Sequence, residues 1–164
     1  MNKKQDFVLG IHPSSRGFGW ALFETPRAPF DWGIVEVKSK KQDDVLARFE
    51  TILGKYRPTT VALEEFNKSF ARRSARIRKL CSGIVATAKM HGADAEIVSR
   101  ADIKKAFPGA AADTREAIAA AIAKDIDALE PRLPEKRRIW ESEHPNMAIF
   151  SAAACALTHF AQQP

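Results

Sequence analysis

Apolar residues first gather in an unbroken run, Phe7 to Ile11, that stops abruptly at His12-Pro13. Such a run, closed by a Pro-Ser-Ser-Arg turn, predicts a buried strand. "GFGWALFE" predicts a second strand joined to it through that turn. After a loop over "TPRAPFD", "WGIVEVKS" alternates Ile34, Glu36 and Lys38 against Gly33, Val35 and Val37. That is the period of a third strand, and the short connections make the three an antiparallel meander.

The period then switches. From Asp43, Val45, Leu46, Phe49, Ile52, Leu53 and Tyr56 fall on one helical face, and Arg57-Pro58 ends the helix. "TTVALEEF" is a short run rich in β-branched residues that closes on Glu64 and Glu65. A second long helix carries Ile77, Leu80, Cys81, Ile84, Val85 and Ala88 and stops near Gly92. "DAEIVS" predicts a strand and "RADIKKAF" a short helix, stopped by Pro108-Gly109. "DTRE" has the Asp-x-x-Glu form of a capping box before Ile118, Ile122, Ile126 and Leu129. Residues 130–144 show no period and are expected to be loop. Pro145 suits the first position of a closing helix, "PNMAIFSAAACALTHF". The order βββαβαβααα predicts one α/β domain over residues 1–164, with helices covering a mixed sheet.

Composition changes this picture little. Hydrophobic residues are 45% and charged residues 28% of 164, as in an ordinary soluble protein. No apolar run is long enough to cross a bilayer and "MNKKQDF" has no secretory core, so the expected location is cytoplasmic, away from membranes. Cys81 and Cys155 lie in apolar helical patterns without metal-type spacing, as buried thiols do. Charge says more. Twenty-six Lys and Arg against twenty Asp and Glu give +6, a balance that permits binding to nucleic acid without requiring it.

In a sheet of this order the first strand and the strand after the crossover helix can lie parallel and adjacent, with functional groups at their carboxyl ends. Those ends are His12 and Glu64, and the start of the last helix, at His144, can close over the same point. Plainer roles stand beside this one. His12 can cap its turn, Glu64 can be a solvated strand end, and His144 can cap the last helix.

The residues "VLGIHPSSRGFGWALFE" resemble the opening of RuvC-type Holliday-junction resolvases, within the ribonuclease H-like superfamily. That family's first strand ends in Gly-Ile-Asp-Pro-Gly-Ser-Arg. Gly10, Ile11, Pro13, Ser15, Arg16, Gly19 and Trp20 follow the pattern. "VALEEF" is similar to the second motif and puts its carboxylate at Glu64. The resemblance runs over essentially the whole chain, through "ADIKKAFPGAAADTREAI" to the small-residue-rich "MAIFSAAACALTH". It implies a ribonuclease H-like fold, a mixed five-stranded sheet flanked by helices, and a homodimer whose two sites face two strands of a junction. It also implies metal-dependent phosphodiester cleavage, with carboxylates holding two Mg²⁺ ions.

The chain departs from that pattern where the chemistry lies. His12 stands where the family has aspartate. For the family's Asp-x-x-Asp on the last helix, the preferred register offers His144 and Met147, and a register shifted by four offers Ala148 and Ser151. The expected catalytic and metal-binding set is therefore His12, Glu64 and His144, with Glu65, Glu141 and Glu143 as possible substitutes. Imidazoles favour a softer ion, so the cofactor expected is Mg²⁺ or Mn²⁺, or none.

The basic residues favour nucleic acid more directly. Lys68, Arg72, Arg73, Arg76, Arg78 and Lys79 crowd twelve positions after Glu64, interleaved with Phe66 and Phe70. Most fall at a helix start, where positive charge opposes the helix dipole. Arginine forks suit phosphates and phenylalanine stacks on exposed bases. Arg16, Lys104, Lys105 and Arg115 are expected to extend this surface. The function expected is binding of branched or structured DNA with altered or lost cleavage. The alternative is a ribonuclease H-like nuclease for structured RNA. A phosphotransferase of the actin type would need Gly-rich loops in two halves, and eight glycines with no second half do not supply them. A protein-interaction module would show no salt-dependent nucleic-acid binding.

Overall fold

A computed structural model describes residues 6–39, 41–65, 71–111, 114–138 and 140–164, the side chains of 71–74 excepted. The strands are β1 (Val8–Pro13), β2 (Gly17–Thr25), β3 (Ala28–Glu36), β4 (Thr60–Glu64) and β5 (Asp94–Val98). The helices are α1 (Gln42–Tyr56), α2 (Ala71–Met90), α3 (Arg100–Ala106), α4 (Arg115–Asp125) and α5 (Met147–Gln162). The strands form one mixed sheet in the order β3-β2-β1-β4-β5. The meander β1-β2-β3 is antiparallel, and β1, β4 and β5 run parallel.

Alternation along β1 sends successive side chains to opposite faces. Leu9 and Ile11 join Phe18, Leu22 and Val61 under α1 and α2, packed on Phe49, Leu53 and Ile84. Val8 joins Ala21, Phe23, Ala62 and Val98 under α4 and α5, packed on Ile122, Phe150 and Ala152. By the same period, His12 follows Val8 and Gly10, and Glu64 follows Ala62. Both therefore point to the α5 face. Glu65 leaves the strand on the other side and is exposed.

The closing helix seats on the sheet through small residues. A Cβ on Gly10 would overlap the Ala152 carbonyl oxygen, and one on Gly19 would stand 2.5 Å from Ala148 Cβ. Helix and sheet backbones thus approach more closely than Leu or Val would allow.

Several boundaries differ from the sequence expectation. β3 begins at Ala28, so the expected loop "TPRAPFD" shrinks to a tight turn at Pro26-Arg27. Pro29 enters the strand because β3 is an edge, where a missing N–H costs no ladder bond. The cap of α4 is Thr114, whose hydroxyl accepts from the Ala117 N–H, while Asp113 of the expected capping box lies outside the described residues. That helix ends at Asp125, and Leu129 reaches the core from the turn that follows. Residues 130–132 form one 3₁₀ turn inside the expected loop. α5 starts at Met147, so Pro145 precedes it. The N–H groups of Met147 and Ala148 reach the carbonyls of His144 and Pro145 at 2.9 and 3.1 Å, in a tighter turn than a helix makes. Cys155 is fully buried as expected, whereas Cys81 is half-buried.

Candidate functional site

The carboxyl ends of β1 and β4, the N-terminus of α4 and the segment leading into α5 enclose a cleft of about 1030 Å³. His12, Arg16, Glu64, Arg115, Glu143 and His144 all line it, as do Ile77 and Cys81 of α2 and Ala148 of α5. The three residues expected to carry chemistry therefore border one cavity.

At its centre lies Arg115, the first residue of α4. Its Nε and Nη2 donate to Ser151 Oγ at 3.2 and 2.7 Å. Nη2 also stands 3.0 Å from His12 Nε2. Nη1 lies 3.2 Å from each oxygen of Glu143. A guanidinium has only donors, so His12 Nε2 accepts, and the imidazole is neutral with its proton on Nδ1. Burial, with the Arg115 charge beside it, lowers the His12 pKa from 6.5 to about 3. Glu64 faces a second guanidinium, with Arg100 Nη1 at 3.9 Å. His12 and Glu64 are thus each met by an arginine.

Met147 lies in the apolar core, and Ser151 is the α5 residue that joins His12 through Arg115. Of the residues the two registers offer, His144 and Ala148 line the cleft, Met147 is buried, and Ser151 bonds to Arg115. His144 precedes the helix and is exposed, and its Nδ1 accepts the Asn146 N–H at 3.0 Å. It caps the turn into α5.

The expected metal set fails on donor chemistry. Among the described residues no group of three His, Cys, Asp or Glu side chains is placed to hold a metal ion. The lone pair His12 would offer a cation accepts an N–H from an arginine, Ser151 stands where a carboxylate would be needed, and Glu64 is the one carboxylate at a motif position. These residues do not fit a pair of Mg²⁺ or Mn²⁺ ions.

The basic residues divide. Arg16 is exposed on the cleft rim, and Arg76 is exposed on α2 next to the cleft-lining Ile77. Arg72 and Arg73 lie in the first turn of α2. Lys68 and Phe70 fall outside the described residues. Lys104 and Lys105 are exposed on α3 and do not line the cleft. Arg115, expected on the surface, is instead half-buried at the centre. The Cys81 thiol, beside the cleft, is raised by burial to about 11, and burial raises Cys155 further still. Sequence reasoning named Ser151 only in the less favoured register and named Glu143 as a substitute ligand. Glu141 does not line the cleft; its backbone carbonyl accepts from Arg137 and its N–H donates to the Arg138 carbonyl.

A mixed sheet with two parallel and two antiparallel pairings of neighbouring strands, with a closing helix packed on β1 and β2, is the ribonuclease H-like arrangement. Within it, the chain has the fold of the RuvC-type resolvases. Thermus thermophilus RuvC in complex with a Holliday junction substrate superposes with a TM-score of 0.71 at 20% identity, covering 94% of this chain and 92% of that one. A second structure of Thermus thermophilus RuvC gives 0.68 at 21% identity, over 93% and 92%. The yeast mitochondrial Holliday junction resolvase Ydc2 gives 0.62 at 14%, over 96% and 82%. No protein-family model matches the sequence, and no curated protein is significantly similar to it. Among the described residues no helix is long and apolar enough to cross a membrane.

Proposed function

We propose that the protein binds branched DNA of the four-way-junction type along its backbone, as a homodimer, and that the metal-dependent cleavage of the resolvases is altered or lost. The observation that carries this reading is the cleft between β1 and β4. It brings His12 and Glu64 to one cavity with Arg16 and Arg115, and ties His12 through Arg115 to Ser151, where a pair of cations would need carboxylates. The fold of a protein solved on a junction substrate supports the choice of DNA. Arg76 is exposed on α2 beside the cleft-lining Ile77, and Lys68, Phe70, Arg72 and Arg73 precede it in the same basic segment of sequence, which suits contact with phosphates.

The test is a binding and cleavage assay on a four-way DNA junction, with linear duplex and structured RNA as competitors, in Mg²⁺ and in Mn²⁺. The expected result is salt-dependent, junction-preferring binding without efficient cutting. Arg72→Ala combined with Arg73→Ala should weaken it and flatten the salt dependence by about two phosphate contacts. Efficient Mg²⁺-dependent cutting that Glu64→Gln abolishes would overturn the loss of cleavage. Displacement by RNA rather than by duplex would overturn the substrate.

A further inference from the structure

Arg115 has an inner and an outer edge. On the inner edge, Nε and Nη2 are spent on Ser151 and His12, which fix the plane of the guanidinium. On the outer edge, Nη1 meets Glu143 among the described residues, and that pair is 34% exposed on both sides. Glu143 comes from the segment before α5, and an ion pair this exposed contributes little. A carboxylate is also the protein group nearest in shape and charge to a phosphodiester, which arginine grips with the same planar fork. The guanidinium lies at the N-terminus of an 11-residue helix, whose dipole disfavours a cation and favours an anion there. Folding by itself would not choose an arginine for this place.

We propose that Arg115 is the receptor for one backbone phosphate of the branched DNA, in a site that works without a metal ion, and that Glu143 is the counter-anion this phosphate displaces. The proposal rests on the branched-DNA reading and gives that reading its central contact. His12 serves it as a neutral acceptor. An aspartate at that position would compete with the phosphate for the same guanidinium. Ser151 serves it by accepting two N–H groups, which leaves the two Nη1 hydrogens, now on Glu143, for the phosphate. Exchange of Glu143 for a phosphodiester leaves the charge around Arg115 unchanged, so the free and bound sites are both balanced.

Fluorescence anisotropy on a labelled four-way junction in EDTA, at several salt concentrations, tests this. Mn²⁺ titration of the protein alone, followed by the paramagnetic resonance signal of the free ion, accompanies it. The wild-type protein should bind the junction in EDTA and take up no Mn²⁺. Arg115→Ala should weaken binding about tenfold and lower the salt slope by about one contact. Arg115→Lys should keep the slope but lose several-fold in affinity, because a point charge replaces the fork. Glu143→Gln should tighten binding about threefold, the opposite sign. Stoichiometric Mn²⁺ uptake, or wild-type affinity and slope in Arg115→Ala, would overturn the proposal while the branched-DNA reading stood. Failure of the wild-type protein to bind any junction would remove both. If Arg115→Ala melts early, Glu143→Gln decides, since its change lies on the exposed edge, and unaltered or weakened binding there would overturn the displacement.

Discussion

His12 Nε2 and Arg115 Nη2 stand 3.0 Å apart, a histidine at the end of β1 bonded to the first residue of α4, 103 positions later. The bond requires neutral imidazole, and its consequence is a pH dependence of stability. The His12 pKa is lowered to about 3 in the folded protein against 6.5 unfolded. The unfolded chain therefore binds one more proton across that window. His12's contribution is complete above pH 6.5 and is lost as pH falls towards 3, at up to about 1.4 kcal/mol per pH unit. Denaturant melts of the wild-type protein and of His12→Gln, at pH 7.5 and pH 5, should show that the substitution removes this part of the acid sensitivity.

The seat of α5 on β1 predicts two glycine substitutions of opposite sign. Gly10→Ala forces a methyl group onto the Ala152 carbonyl and should cost about 3 kcal/mol or prevent folding. Gly54→Ala, in the last turn of α1 with nothing within 4 Å of the new Cβ, should stabilise by about 0.5–1 kcal/mol. Thermal melts of the two variants check both signs at once.

Neither thiol is poised to react. With Cys81 raised to about 11 and Cys155 buried, the thiolate fraction at pH 8 is on the order of one in a thousand or less. A disulfide-exchange reagent at that pH should modify the folded protein slowly, and should titrate both cysteines promptly once the chain is unfolded.

Carboxylates restored one at a time should not restore a metal site. In His12→Asp the new side chain would pair with Arg115, since the guanidinium already reaches that position. The combination His12→Asp, Ser151→Asp and Arg115→Ala leaves Glu64 with two further carboxylates on the α5 face of the sheet and no central guanidinium. Mn²⁺ binding is expected from the triple variant and not from the single one, by the same resonance titration.

The places where sequence reasoning succeeded share a physical basis. Apolar periodicity and short connections foretold the meander and the helix between the parallel strands β1 and β4, because local pattern dictates both. The period of two also set Glu65 opposite Glu64, and the β1–β4 pairing put His12 and Glu64 on one face. Reasoning from sequence failed where a residue's role depends on how one helix slides over another. Met147 and Ser151 are one helical turn apart, and the sequence offers both registers. Packing gives them different surroundings, because Met147 fills the core while Ala148 and Ala152 seat against Gly19 and Gly10. The turn of Pro145 and Asn146, braced by His144, then starts the helix later than proline chemistry alone suggests.

By itself, then, the sequence determined which segments become strands and helices, which face of the sheet each strand-end residue meets, and that aspartate is absent from the first motif. Only the tertiary structure decided what replaces it. Arg115 looks like one more surface cation along the chain, since nothing local marks it out. Its place between His12, Ser151 and Glu143 arises because α4 and α5 share one face of the sheet and bring four distant segments to the same point.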